Sequence, residues 1–155
     1  MIHETLLRGC YDESRCANGE RPGSYKKHDY VTEDGIGAEP ENVAGEIDAL
    51  CAEVNAAPEE KALTVAAYLH LRFESIHPFA DGNGLVGRTL MNYYLMTTDF
   101  PPVVLFHEDK KTYYMALAVY DKTEQIGGFV QFLREQTVKT WSPHPAPKKT
   151  LSVFL

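Results

Sequence analysis

Ser75-Ile76-His77-Pro78-Phe79-Ala80-Asp81-Gly82-Asn83-Gly84-Leu85-Val86-Gly87-Arg88 is the stretch that decides how this chain folds. A helix must end near His77, because Pro78 disfavours the α conformation for its predecessor. Gly82 and Gly84 let backbone N–H groups approach a ligand with no side chain in the way. A new helix starting there presents unpaired N–H donors and the positive end of its dipole, an arrangement that favours an anion. Arg88, about one turn in, adds a permanent charge and a fork of donors suited to phosphate. Asp81 offers a hard carboxylate of the kind Mg²⁺ uses alongside substrate phosphates. His77, on the opposite lip, can accept a proton near neutral pH. A phosphate cradle, a metal ligand and a base within residues 77–88 point to phosphoryl or nucleotidyl transfer.

Helical periodicity surrounds this turn. Val43, Ile47, Leu50, Cys51 and Val54 form one apolar stripe, with Glu46, Asp48 and Glu53 outside it. Pro58-Glu59-Glu60 reads as a helix opening, with proline early and acids at the positive dipole end. The helix that follows carries Ala62, Ala66, Leu69, Phe73 and Ile76 on one stripe, and Val65, Tyr68 and Leu71 elsewhere around the axis. Apolar on most sides, it is the expected buried centre. A second helix should run from the glycine turn to about Met96, followed by a short buried connector, Val103-Val104-Leu105. Amphipathic helices are expected at about 108–121 and 126–141. Ile126, Phe129, Val130, Leu133, Thr137 and Trp141 form the inner face of the last. Only residues 23–35 read as strand, rich in Tyr, Val and Thr and bounded by glycines. The fold class expected is mainly α with one small β-hairpin.

The 155 residues suit one domain, placed at 1–141, with the proline-containing segment 142–155 as a tail. Lys plus Arg is 15 against 22 Asp plus Glu, a net charge of −7. That balance argues against nucleic acid and anionic membrane as partners. Cys10, Cys16 and Cys51 are odd in number and lack C-x-x-C spacing, so reduced thiols and a cytoplasmic location are expected. No apolar run approaches the ~20 residues of a membrane span, and the N-terminus lacks a signal-peptide core.

Residues 77–88, His-Pro-Phe-Ala-Asp-Gly-Asn-Gly-Leu-Val-Gly-Arg, resemble the signature of the Fic family, H-P-F-x-[DE]-G-N-G-R-x-x-R. His77, Pro78, Phe79, Asp81, Gly82, Asn83, Gly84 and Arg88 match at the family's spacing. Lys111-Thr-Tyr-Tyr-Met-Ala-Leu117 is similar to a stretch commonly found downstream, and residues 23–31 resemble the hairpin flap over the site. The resemblance implies a protein adenylyltransferase that moves AMP from ATP to a Ser, Thr or Tyr hydroxyl of a target protein. It implies His77 as the catalytic base and Asp81 as the Mg²⁺ ligand. Gly82, Asn83, Gly84 and Arg88 would hold the phosphates. Tyr25, Lys26, Lys27 and His28 of the flap would meet the target.

One residue departs from that pattern: the first arginine of the signature is Leu85. If Leu85 faces a triphosphate, one charge-assisted contact of about 1.5–3 kcal/mol is missing. A donor of UMP or phosphocholine, or an inactive nucleotide- or protein-binding module, are the alternatives this raises. Many Fic proteins also carry an inhibitory [ST]-x-x-x-E-[GN] helix, and no Ser or Thr of this chain begins one. A separate antitoxin-like partner is then one route to control. His70, Glu74 and His77, at i, i+4 and i+7, also mimic a metal-binding stripe. Tyr113, Tyr114 and Tyr120 read as packing residues, while Asn92, Tyr93 and Tyr94 are candidates to line a nucleobase pocket.

Overall fold

A computed structural model describes residues 2–32 and 35–143. The elements in chain order are α1 (Ile2–Leu7), α2 (Glu13–Ala17), β1 (Val31–Thr32), β2 (Gly35–Ile36), α3 (Val43–Ala56), α4 (Ala62–Ile76), α5 (Asn83–Thr97), α6 (Lys110–Thr123) and α7 (Gly127–Trp141). Single 3₁₀ turns, Glu59–Lys61 and His107–Asp109, lead into α4 and α6.

The all-round apolar character of α4 has the expected consequence. Ala66, Ala67, His70 and Leu71 are fully buried, and the helix packs against α3, α5, α6 and α7. Two apolar clusters meet along it. One joins Leu71 to Met91, Leu95, Phe129 and Leu133; the other joins Phe73 and Ile76 to Val43, Leu50, Phe79 and Val86. Each large side chain so buried contributes roughly 1.5–3 kcal/mol of hydrophobic stabilisation. The second cluster seats the loop between α4 and α5, so the core fixes the place of the motif directly.

The structure narrows several expectations. α3 packs on α4 along one side only, so Val43 and Leu50 are buried while Cys51 is exposed. Val103 is buried but Val104 is not: the Asn92 side chain holds the Val103 N–H and C=O at 2.7 and 3.0 Å, turning Val104 outward. Trp141 leaves the inner face of α7. It is 58% exposed, and its indole N–H donates to the Pro102 carbonyl at 2.9 Å. α1 and α2 were not expected from periodicity; both are short, and α1 is held by polar contacts described below.

The hairpin is smaller than residues 23–35. Strand pairing is limited to Val31 with Ile36 and Thr32 with Gly35, antiparallel. The buried Glu20 carboxylate explains why residues 23–30 take no strand. It accepts the Lys27 N–H at 2.9 Å and the Tyr30 hydroxyl at 3.0 Å, folding the segment into a loop around itself. The ends of this region grip the motif: Lys26 N–H donates to Pro78 O and Ala38 N–H to Ile76 O, both at 2.9 Å. α7 ends at Trp141, and residues 144–155, most of the expected tail, lie outside the described residues. No described helix is long and apolar enough to cross a membrane.

The contrast within α7 is testable by denaturant unfolding. Phe129→Ala should destabilise the protein by about 3–5 kcal/mol through the cavity it leaves. Trp141→Phe, at the exposed end, should cost about 0.5–1.5 kcal/mol, the net worth of its one hydrogen bond.

Candidate active site

The loop joining α4 to α5 is rigid by construction. His77 closes α4 in a left-handed conformation, φ 50°, with its N–H on Phe73 O at 3.1 Å. The buried Asn83 amide then staples the loop: Oδ1 accepts the Phe79 N–H at 2.9 Å and Nδ2 donates to the Phe79 carbonyl at 2.8 Å. Asn83 was expected to cradle phosphates. Its side chain is committed to the loop, so its backbone N–H is what it offers a ligand. Gly82 at φ 78° caps α5, and a Cβ there would meet the Leu7 side chain at 2.8 Å.

His3 of α1, which the sequence reading passed over, supports the loop from beneath. Its ring stacks on Phe79 with centroids 3.8 Å apart. Nδ1 accepts the Gly23 N–H at 2.7 Å, so Nε2 carries the proton and donates to the Asp81 carbonyl at 3.0 Å. Its partners lie 20 and 78 residues away in sequence, and no local pattern signals them.

The two lips bear the chemistry. No side chain caps the first turn of α5. The Arg88 guanidinium folds back over that turn, with Nη1 3.0 Å from where a Cβ on Gly84 would sit. Across the loop, half-buried His77 has its pKa pushed below the ordinary 6.5, first by burial and then by the Lys26 ammonium, against smaller opposing effects of the Glu74 carbonyl and Asp81. A neutral imidazole is the form that accepts a proton. Asp81 Oδ1 accepts the Gly82 N–H at 2.7 Å, while Oδ2 lies 3.5 Å from Arg15 on a side chain 46% exposed.

The four flap residues separate. Tyr25 packs on Phe79 with centroids 5.7 Å apart. Lys26 is buried rather than solvated, and its Nζ has no hydrogen-bond partner beside Gly37. Burial lowers the Lys26 pKa, and its charge acts on His77. Lys27 and His28 are exposed.

Behind Arg88 lies a buried polar cluster. Arg88 and Tyr113 line the same cavity, and the Tyr113 hydroxyl is 2.9 Å from His70 Nε2. The Glu74 carboxylate reaches the same space. The metal stripe of His70, Glu74 and His77 does not form: His70 is fully buried on Tyr113, and among the described residues no group of three His, Cys, Asp or Glu could hold a metal ion. On the α6 side of Arg88 is a cavity of about 300 Å³ walled by Phe106, Tyr113, Tyr114 and Phe132 and edged by His107 and Lys110. Asn92, Tyr93 and Tyr94 do not line it: Asn92 holds Val103, Tyr93 is exposed, and Tyr94 packs on the core. Leu85, 44% exposed, shares a shallow groove with Arg88, Tyr93 and Met96.

Comparison with known proteins agrees with this architecture. The protein adenylyltransferase Fic of Drosophila persimilis is 37% identical over 89 residues, 54% of this chain; the chain spans 17% of that protein's length. A Fic-domain signalling protein from Bacteroides thetaiotaomicron superposes with a TM-score of 0.72 at 25% identity, covering 90% of this chain and 57% of that one. A Fic family protein from Desulfovibrio desulfuricans gives 0.71 at 27% identity, covering 93% and 47%. The Fic/DOC family model matches residues 1–95, the portion holding the whole motif, and the chain belongs to that family.

Proposed function

We propose that this protein, through residues 1–141 as one functional unit, is an adenylyltransferase that moves AMP from ATP to a hydroxyl of a target protein. The observation that carries the reading is the pairing across one stapled loop of a depressed-pKa histidine with an uncapped helix N-terminus overlain by a guanidinium. The relatives named protein adenylyltransferase support it.

In the reaction, neutral His77 takes the proton of a target Ser, Thr or Tyr hydroxyl. The freed oxygen attacks the α-phosphorus, a new P–O ester forms, and the bond to the β-phosphate oxygen breaks to release pyrophosphate. The backbone N–H groups of Asn83, Gly84 and Leu85 face the phosphates, and Arg88 binds the distal ones. Fixed donors of this kind need no reorganisation as charge shifts to the leaving group. The aromatic-walled cavity beyond Arg88 gives the nucleoside a stacking surface, with Lys110 at its edge. Exposed Lys27 and His28 are placed to meet the target, and β1 offers an edge for strand addition.

Asp81 fits a Mg²⁺ that arrives with the nucleotide. One carboxylate oxygen is held by Gly82, the other lies 3.5 Å from Arg15 on a part-exposed side chain, and among the described residues no group of three His, Cys, Asp or Glu competes. Asp81 would hold such an ion, which would supply neutralisation of the phosphate charge. A cytoplasmic site of action and a separate antitoxin-like inhibitor remain part of the proposal. Leu85 favours one second reading: an apolar wall beside Arg88 suits a donor with fewer phosphate charges, such as one delivering phosphocholine, and a UMP donor is the other alternative.

Incubation with Mg²⁺ and α-labelled ATP should label protein, and His77→Ala should abolish labelling while retaining nucleotide binding. No label from ATP, with label from a UMP or phosphocholine donor, would select the second reading. Because the His77 pKa lies below 6.5, kcat/KM should rise with pH on an acid limb centred below 6.5. An acid limb centred above 7 would remove His77 as the base. Leu85→Arg should tighten ATP binding roughly tenfold, an exposed charge-assisted contact of about 1.5 kcal/mol; unchanged affinity by calorimetry would mean position 85 does not meet the phosphates.

A further inference from the structure

With leucine at position 85, Arg88 is the motif's one cation, and the protein surrounds it unusually. Glu74 enters the space behind it from α4. The Glu74 side chain is 14% exposed, and Oε1 lies 4.0 Å from His70 Nε2. That oxygen is buried with no hydrogen-bond partner. Gly87 makes the approach possible: a Cβ there would stand 2.6 Å from Oε1 and 3.1 Å from His70 Nδ1. A buried carboxylate oxygen with no hydrogen bond is an expensive arrangement, made tolerable by a compensating charge nearby.

The groups around Glu74 identify that charge. From α5 there is Arg88; from α6, Tyr113 and Asp121; from α4 itself, His70. α7 brings Phe129, stacked on the His70 ring. His70 is neutral at pH 7, because burial pushes its pKa down to about 4. Tyr113 is neutral too, since burial raises its pKa, and Asp121 repels a second carboxylate. Among these groups, Arg88 alone holds Glu74 in its charged form. Even so, burial prevails and the Glu74 pKa is raised to about 7.

We propose that Glu74 is a positioning residue for Arg88: it balances the guanidinium while the phosphate site is open, and takes up a proton from solvent when a polyphosphate engages that arginine. The inference rests on the proposed phosphate role of Arg88. A bound polyphosphate brings several negative charges to Arg88 and cancels the field that kept Glu74 ionised, so the neutral acid becomes the stable form. The sign follows: binding consumes a proton, so affinity falls as pH rises above 7, by up to tenfold per pH unit for one proton. A permanently neutral residue of the same shape removes that dependence and binds more tightly at alkaline pH.

Calorimetric titration with AMPPNP and excess Mg²⁺, in buffers of different ionisation enthalpy at pH 7.5, counts the protons exchanged. The wild-type protein should take up more protons than Glu74→Gln, by up to one, the ligand's own proton cancelling in the difference. From pH 7 to 8.5 its affinity should weaken relative to the variant. Equal uptake by the two proteins, or none by the wild type while AMPPNP binds, overturns the proposal. Failure of AMPPNP to bind the wild type at any pH overturns the nucleotide reading, and this inference with it. Should Glu74→Gln fail to fold, carboxyl ¹³C NMR of the wild type decides: the Glu74 midpoint must move up with AMPPNP, and an unmoved midpoint rejects the idea.

Discussion

The two hydrogen bonds between the Asn83 amide and the Phe79 backbone hold the rest of the site in place. They join the end of one helix to the start of the next across a loop too short to hold its shape by regular secondary structure. Phe79 fills the second core cluster, so the loop is clamped by an apolar anchor and a polar staple at the same residue. From that clamp the rest follows. His77 must turn left-handed to reach it, and Gly82 must lack a Cβ to pass Leu7. A buried amide whose oxygen and nitrogen both have partners tolerates no substitution by Asp, which offers no donor when ionised.

Much of this was legible in the sequence. The helices α3 to α7 announce themselves by spacing, and α4 by being apolar on every side. The motif residues declare their chemistry because few other patterns set a histidine, an acid and an arginine at those intervals around two glycines. What escaped is what depends on distant partners. His3 acts through Gly23, Phe79 and Asp81, and nothing near it in sequence hints at that. Lys26 sits in a polar run, Lys26-Lys27-His28, that reads as solvated; two backbone hydrogen bonds to the motif draw that part of the chain inward and bury the ammonium. The strand preference of Tyr25 and Tyr30 was real, but Glu20 offered the segment better hydrogen bonds than a partner strand did. Trp141 looked like core by period alone, yet it lies at the last turn of its helix, where the facing layer has ended.

The electrostatics of the site are set by burial more than by composition. A net charge of −7 opposes a polyphosphate, yet the groups nearest the motif respond to local dielectric. Burial does most to favour the neutral imidazole of His77, and the field of buried Lys26, whose Nζ has no hydrogen-bond partner, adds to it. One cation, Lys26, acts on His77, and the other, Arg88, overlies the first turn of α5.

Glu74 and His77 stand three residues apart at the end of the same helix, and desolvation acts on both in the direction of neutrality. For the histidine this means losing a proton, and for the glutamate keeping one. The end of α4 therefore carries less charge of either sign near pH 7 than its residues would in water. The helix dipole already places partial negative charge there. A fully ionised Glu74 would add to it, behind the arginine proposed to bind phosphate. By holding that carboxyl at the edge of protonation, the fold lets Arg88 present nearly its full charge forward once an anion arrives. A chain with one motif arginine has more need of that arrangement than a chain with two.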